Sequence, residues 1–198
     1  MQLKVVRGMD STIEEKGMAC RYLRFKYETL RDFVSQLQQG DWLITLDFKS
    51  GYHHVPMHPE AFPYLGVQLG GQIYVMTVLA FGLGPACREF TQIMAAAHLP
   101  LRHMGERMAA YVDDTAVATA GGEQAQGEAR GKFHAATVAL LHRALGMCHS
   151  VPKCGLLPRQ QQLFLGLVVD TEQGRLWVPQ DKVEHFRGQL QQALASRH

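Results

Sequence analysis

The chain has 198 residues, of which 46% are hydrophobic and 19% are charged, and its formal net charge is +2. This composition supports one folded core, with room for a small additional lobe, and it excludes a chain that is disordered by composition. The net charge is too small to indicate nucleic-acid binding by itself, so any such function has to be argued from local patterns.

The first half of the chain alternates helical and β-prone patterns. Residues 1–24 have no sustained period. Apolar residues then recur at helical spacing from Leu30 to Leu37, with Thr29 and Asp32 spaced as a capping box and Gly40 after the end. A β-prone run over residues 42–48 follows. Residues 64–69 and 72–79 alternate around two glycines and predict a β-hairpin.

The second half continues the alternation. A helix is predicted after Pro85, with an apolar stripe made of Ala86, Phe90, Ile93, Met94 and Ala97. Residues 109–118 read as a hairpin with Asp113 and Asp114 at its tip. We expect a solvated loop or frayed turn over residues 123–132, a helix from 133 to 145, strands at 162–169 and 175–178, and a last helix after Pro179. Hairpins separated by helices predict an α+β fold, an antiparallel sheet with helices packed on one face.

Three acidic residues stand at the ends of predicted strands. An isolated Asp-Asp pair such as Asp113 and Asp114 is most often an exposed turn. Asp47 ends another predicted strand, and if the strands are neighbours the three carboxylates meet at one edge. Magnesium prefers such oxygen ligands, and two ions about 4 Å apart support in-line phosphoryl transfer. The sequence therefore leaves two interpretations, an exposed turn or a divalent-metal site.

Four segments in order resemble the motifs of a reverse transcriptase, an RNA-directed DNA polymerase. They are TLDFKSGYHHV at 45–55, LAFGLGPA at 79–86, YVDD at 111–114 and FLG at 164–166. The amino-acid sequence of these motifs is most similar to that of the DIRS-like group of retrotransposons, and the match spans residues 25–188. The resemblance implies a right-hand polymerase palm over residues 41–178, a residual fingers segment and lead-in helix over 1–40, and the start of a connection or thumb helix over 179–198.

The same resemblance implies roles for single residues. Asp47, Asp113 and Asp114 would hold two Mg²⁺ or Mn²⁺ ions, with Asp114 as the close support of the other two. Phe48, Ser50, Gly51, Tyr52, Phe81 and Gly82 would form the dNTP site, in which the Tyr52 ring excludes a 2′-hydroxyl and so selects deoxynucleotides. Lys153 would give a proton to the leaving pyrophosphate, although a solvent-facing loop lysine is an equal alternative. Leu165 and Gly166 would form the primer grip.

The sequence also departs from the family pattern. Ala80 and Cys87 stand where prolines are common, and neither is expected to touch the chemistry directly. The basic fingers residues that clamp the triphosphate are only faintly matched by Arg21, Tyr22 and Arg24. We therefore expect a fragment or remnant of a larger polyprotein, with fingers, thumb and RNase H as possible further domains. We also expect weak nucleotide binding by this chain alone, with weak binding of primed template and little or no polymerisation.

Two functions remain open at this point. The first is template-directed extension of a primer on RNA or DNA with dNTPs. The second is a non-catalytic palm remnant that at most binds nucleic acid. The intact Asp47, Asp113, Asp114 and Tyr52 favour the first, and the faint fingers segment favours the second.

The cysteines and histidines give weaker signals. The four cysteines form no dense disulfide framework, and no apolar run is long enough for a membrane span or a signal peptide, so we expect an intracellular protein of the cytoplasm or nucleus that is not secreted. One cluster, His142, Cys148, His149 and Cys154, lacks zinc spacing, and a metal site there is the less favoured reading. His53, His54 and His58 are expected to pack or to meet phosphate, and Cys87 to be a small core residue.

Overall fold

The computed structural model describes residues 25–196. Its centre is a four-stranded antiparallel sheet whose spatial order is β4 (Arg107–Tyr111), β5 (Asp114–Thr119), β1 (Trp42–Asp47) and β6 (Gly155–Arg159). The inner strand β1 is apolar on both faces because it is covered on both, with Leu43 and Ile44 buried on opposite sides. The predicted α+β antiparallel architecture is confirmed. The faint fingers match at Arg21, Tyr22 and Arg24 lies outside the described residues.

Helices and a second sheet cover the two faces of the central sheet. The long helices α2 (Ala86–His103) and α3 (Gln124–Ala144) pack on one face, around Leu46, Met108 and Val117. The short helix α1 (Leu30–Val34) and a three-stranded sheet lie on the other face, where Phe33 and Phe164 pack against the strands. The fold thus buries an apolar cluster on each side of the sheet.

The helix α1 and the first hairpin follow the sequence patterns closely. Thr29 and Asp32 form the reciprocal capping box, but α1 ends at Val34, one turn earlier than its apolar spacing indicates. The hairpin consists of β2 (Gly66–Leu69) and β3 (Gln72–Val75), and the glycines between them have φ of 59° and 80°, as a tight two-residue turn requires. Both strands are short and largely exposed, so this hairpin projects from the core.

The strand predicted over residues 162–169 is wrong, because that run contains a hairpin of its own. Its two strands are β7 (Gln161–Phe164) and β8 (Leu167–Asp170), and β9 (Arg175–Trp177) completes the small sheet. Leu165 and Gly166 form the turn, with φ of 47° and 83°. Gly166 permits this left-handed turn, and its position between two apolar runs was the signal for it.

The loop predicted over residues 123–132 is also wrong, since α3 begins at Gln124 and runs to Ala144. The glycines that indicated a broken helix have a packing role instead. A Cβ on Gly127 would overlap the Trp42 indole, and a Cβ on Gly131 would lie 2.6 Å from Pro158 Cγ. Spaced four residues apart, Gly127 and Gly131 line the helix face that approaches β1 and β6. Close packing thus compensates for their poor helix propensity.

We expect Gly127→Ala to lower the free energy of unfolding by about 1–3 kcal/mol, although alanine is the better helix former, because its methyl group would displace Trp42. Gly188→Ala in the last helix, which spans Gln180–Ala195, is the matched control, since a Cβ there meets nothing within 4 Å. That control should be neutral or stabilising by up to about 1 kcal/mol. Urea unfolding of both variants tests this, and equal effects would contradict the packing role.

The last helix, α4 (Gln180–Ala195), is present as predicted but contains no buried residue. Its apolar side chains Phe186, Leu190 and Leu194 are 59–66% exposed. Among residues 25–196, no helix combines the length and apolar character that crossing a membrane requires.

Candidate active site

Asp47 and Asp114 are direct partners across the centre of the sheet. Strands β1 and β5 pair antiparallel with Asp47 opposite Asp114, so both side chains leave the same face at the same edge. Asp114 is also paired with Tyr111, the last residue of β4, across the turn of their own hairpin. The register of the three strands therefore brings two of the predicted acids together, where their negative charges repel each other.

Asp113 occupies the turn beside this pair. The turn is tight, with φ of 51° at Val112, and the backbone N–H of Phe48 donates to the carbonyl of Asp113 at 2.9 Å. Gly51 lies directly against the carboxylate, because a Cβ at that position would overlap Asp113 Oδ1 and lie 2.8 Å from Phe90 Cζ. The absence of a side chain at Gly51 is thus what gives Asp113 its place.

Without a bound cation, the close approach of the three acids is electrostatically unfavourable. Burial, and then the charge of Asp47, raises the pKa of Asp113, and the same two causes raise the pKa of Asp114 to about 6. Asp47 Oδ1 and Asp113 Oδ1 are buried without a hydrogen-bond partner. Buried acceptors without donors cost free energy, so the cluster is poised to accept a cation.

These residues fit a divalent cation of the magnesium type. Within residues 25–196, no three His, Cys, Asp or Glu side chains already stand as a complete metal-binding cluster. Magnesium does not require one, since it is commonly held by one or two carboxylates together with water and substrate phosphates. The two orphaned oxygens of Asp47 and Asp113 supply that part of the shell.

Lys153 lies next to the acids, as the resemblance implies. It ends a short 3₁₀ turn, Val151–Lys153, and its Nζ is 3.6 Å from Asp47 Oδ1 while the side chain stays 70% exposed. The turn is fixed to the end of β1 because the N–H of Ser150 donates to the carbonyl of Asp47 at 2.8 Å and the N–H of Asp47 to Cys154 Sγ at 3.3 Å. Lys153 therefore reaches the site from an anchored loop while keeping access to solvent.

The residues that follow β1 form a loop with a backbone turned toward the acids. Ser50 has left-handed φ and ψ of 58° and 56°, and the 3₁₀ turn Gly51–His54 follows it. His54 holds this loop on both sides: its Nδ1 is 3.2 Å from the carbonyl oxygen of Gly51, and its Nε2 accepts the N–H of Cys148 at 3.1 Å. Sequence reasoning assigned His54 only to packing or phosphate contact, and its position next to the motif was the available signal for this tether.

Tyr52 is buried, and Phe81 stacks beside it. Tyr52 is 4% exposed, with its ring centroid 4.8 Å from that of Phe81, which is itself 58% exposed. Gly82 follows with φ of 84° in open space. Phe48 has its ring buried at 3% exposure against Phe90, so a contact between Phe48 and a nucleotide would go through its backbone.

Leu165 and Gly166 lie on the same side of the central sheet as Asp47. Their hairpin packs there through Phe164, whose ring is 5.3 Å from Phe33, and through Gln162, whose Nε2 donates to Thr45 Oγ1 at 3.4 Å. Thr45 precedes Asp47 by two residues and points to the same face. The predicted primer-grip turn is thus built onto the strand that carries the first acid.

The histidines at 142 and 149 form a hydrogen-bonded chain. Buried His98 and His142 share a hydrogen bond of 2.7 Å between their Nε2 atoms, and His142 Nδ1 is 2.9 Å from His149 Nε2. His149 in turn stacks on Phe48 at 5.1 Å and an angle of 12°. The inclusion of His98 from α2 was not foreseen, because sequence spacing does not report which helices will face each other.

We expect Mn²⁺ or Mg²⁺ to raise the melting temperature of the protein, because a cation relieves the repulsion among the acids. With a dissociation constant of about 1 mM, ~10 mM metal stabilises by roughly 1.4 kcal/mol, or about 3–6 °C. Thermal melts with and without metal measure this. Asp113→Asn should lose most of the shift and Asp181→Asn, on exposed α4, should keep it. An equal shift in both variants would place the metal elsewhere.

Comparison with known proteins supplies a family match and a fold match. A family model described as reverse transcriptase (RNA-dependent DNA polymerase) matches residues 3–169. A foamy viral protease-reverse transcriptase solved in complex with double-stranded DNA superposes with a TM-score of 0.67 at 18% identity, covering 80% of this chain and 25% of that chain. Another, in complex with an RNA/DNA hybrid, has a TM-score of 0.62 at 17% identity, covering 79% and 20%. This chain thus spans a quarter of the length of the first and a fifth of the second. No curated protein sequence matches it.

Proposed function

Because the chain belongs to the reverse transcriptase family, we propose that it supplies the catalytic core of an RNA-directed DNA polymerase. One observation carries the proposal. Asp47 lies opposite Asp114, Asp113 lies in the adjoining turn, and the cluster contains buried carboxylate oxygens without donors. Such an arrangement costs stability in the protein alone, and nucleotidyl transfer is the chemistry that uses it.

The chain's own residues position the reacting groups. Asp47 and Asp113 would hold two divalent ions, Mg²⁺ or Mn²⁺, and Asp114 would support them with its own negative charge. Bound there, such ions supply activation of the primer 3′-hydroxyl and charge stabilisation on the transferring phosphate. The carboxylates fix where that charge sits, and the missing side chain at Gly51 leaves room for the Asp113 carboxylate. The enzyme class is nucleotidyltransferase.

The loop after β1 would bind the nucleotide. Backbone N–H groups around Ser50 and Gly51 are held in a tight turn by His54, and closely spaced N–H groups in such turns suit phosphate oxygens. Lys153 is the residue we assign to the leaving pyrophosphate, because its ammonium group lies beside Asp47 and remains accessible to solvent. Phe81 and Gly82 would meet the nascent base pair.

The proposed partners are a primed template, RNA or DNA, and dNTPs. The solved foamy viral proteins are complexes with double-stranded DNA and with an RNA/DNA hybrid, which supports this choice. The turn at Leu165 and Gly166 would hold the primer. The amino-acid sequence of the motifs supports a DIRS-like retrotransposon origin, with fingers, thumb and RNase H supplied by further domains. The intracellular location stays a prediction.

Primer extension tests the proposal directly. The purified chain is incubated with a labelled primer on an RNA template, all dNTPs and Mg²⁺ or Mn²⁺, and products are separated by length. We expect short, template-dependent, metal-dependent extension, with low processivity if the fingers clamp is weak. Binding of primed template without any incorporation, in either metal, would favour the non-catalytic nucleic-acid-binding alternative.

We expect Tyr52→Val to admit ribonucleotides, because the Tyr52 ring is the group proposed to contact a 2′-hydroxyl. The ratio of kcat/KM for a dNTP to that for the matching rNTP should fall by at least about tenfold. Tyr74→Val is the control, since that ring lies on the exposed first hairpin. Unchanged sugar discrimination in Tyr52→Val would place the selectivity elsewhere.

A further inference from the structure

The hydroxyl of Tyr52 is tethered to a cysteine. Tyr52 Oη lies 2.7 Å from Cys87 Sγ, and either atom can donate this hydrogen bond. Cys87 is the second residue of α2 and packs, partly buried, against the apolar cluster that contains Tyr52 and Phe90. The thiol thus does more than fill the small core position that the sequence predicts for it.

The Tyr52 ring is packed by aromatic side chains on two sides. Phe90 contacts it edge-on at 5.2 Å from the interior, whereas Phe81 covers it at 4.8 Å from the exposed side. Phe81 is itself 58% exposed, so the partner on that side is not held by the core. The hydrogen bond with Cys87 adds a directional contact at the tip of the Tyr52 ring, which apolar packing does not supply.

The segment before α1 packs on the acidic hairpin nearby. The Tyr27 ring centroid lies 5.0 Å from that of Tyr111, two residues before Asp113. Among residues 25–196, the hydrogen bond to the Cys87 thiol is the one with Tyr52.

We propose that Cys87 is a positioning residue that sets the height of the Tyr52 ring and thereby the discrimination between deoxyribose and ribose. This inference rests on the proposed function, because it deepens the role of Tyr52 in the same site. A ring that excludes a hydroxyl by contact works only within a fraction of an ångström, so a tether at its tip governs selectivity more than the rate of chemistry.

Sugar selectivity is the first test. Cys87→Ala removes the tether and should lower the dNTP-to-rNTP ratio of kcat/KM by about three- to tenfold, the worth of one hydrogen bond. Cys87→Ser replaces the thiol with a hydroxyl that can make the same hydrogen bond, so it should recover most of the ratio. A purely structural role would not require this recovery. Cys148→Ala, whose thiol is exposed, is the matched control. Equal ratios in Cys87→Ala and the unmodified protein would overturn the proposal.

Thiol reactivity is the second test and does not need synthesis. The rate of iodoacetamide labelling at Cys87, followed by mass spectrometry, should change in Tyr52→Phe, because that variant keeps the ring but lacks the hydroxyl that is hydrogen-bonded to the thiol. Tyr74→Phe should leave the rate unchanged. An unaltered rate in Tyr52→Phe would overturn the tether even if the chain makes DNA, whereas a changed rate in a chain that makes none would refute the proposed function and leave the tether standing.

Discussion

Replacing Asp113 with asparagine is expected to reduce primer extension by about a hundredfold to a thousandfold while raising the stability of the fold. The loss follows from removing one full charge at the place where transition-state charge has to be stabilised. The gain follows because Asp113 is a buried carboxylate whose Oδ1 has no donor and whose pKa is raised by burial and by Asp47. Without divalent metal, we expect the free energy of unfolding to increase by about 1 kcal/mol.

The predicted effects on primer extension and on stability have opposite signs, so one cannot be the cause of the other. Primer extension and urea unfolding are measured on the same preparation, so lost synthesis cannot be attributed to unfolding if stability has risen. Asp181→Asn, on exposed α4, should change neither quantity. Synthesis that survives in Asp113→Asn would remove the carboxylate from the mechanism, and a destabilised variant would show that the acid is already neutralised within the fold.

Acidification is expected to destabilise the protein through the buried histidine pair. Burial, followed by the charge of Arg102, lowers the pKa of His98 to about 4, and burial lowers that of His142 to about 3. The unfolded chain takes up these protons near pH 6.5. Stability is therefore fully present above about pH 6.5 and is lost as the pH falls toward 4, by roughly 2–5 kcal/mol between about pH 7 and about pH 4.5.

Other charges near the pair set the design of this experiment. Arg102 lowers the pKa of His98 and Glu28 raises it, and neither residue is mutated in this experiment. Asp114 acts in the opposite sense, because its pKa is raised to about 6 and the folded state gains stability on protonation there. Unfolding is therefore measured in the Asp114→Asn background. His98→Gln should flatten the pH dependence, and His103→Gln, exposed on the same helix, should not; equal slopes would refute the assignment.

Local chemistry made much of the site predictable. The strand ending at Asp47 and the hairpin carrying Asp113 are encoded by apolar alternation that stops at an acid, and this pattern does not depend on distant residues. Their meeting is a question of register, and the antiparallel pairing of β1 with β5 settles it by placing Asp47 opposite Asp114. The ordered motifs indicated the same neighbourhood, because they come from a fold in which that pairing recurs.

Contacts between distant segments could not be predicted from the sequence. Gly127 reads as a helix breaker until Trp42 is seen packed against it, since helix propensity is a weak local preference that tertiary packing overrides. Cys87 and Tyr52 are separated by 35 residues, and His98 and His142 by 44. Neither pair has a spacing signal, because which side chains face each other depends on how helices dock.

The left-handed backbone at Ser50, Val112 and Leu165 has a consequence for directed evolution. These are the non-glycine residues with positive φ among residues 25–196, and they fall in the loop proposed to bind the nucleotide, in the acidic turn and in the turn proposed as the primer grip. Each costs about 1 kcal/mol relative to glycine, and most at the β-branched Val112. A library screened for heat resistance alone would therefore enrich glycine or asparagine at the exposed Ser50, whereas Val112 and Leu165 also pack against apolar clusters, and the loss of that burial would offset the gain. The variants enriched at Ser50 would be more stable proteins with a more flexible loop after β1.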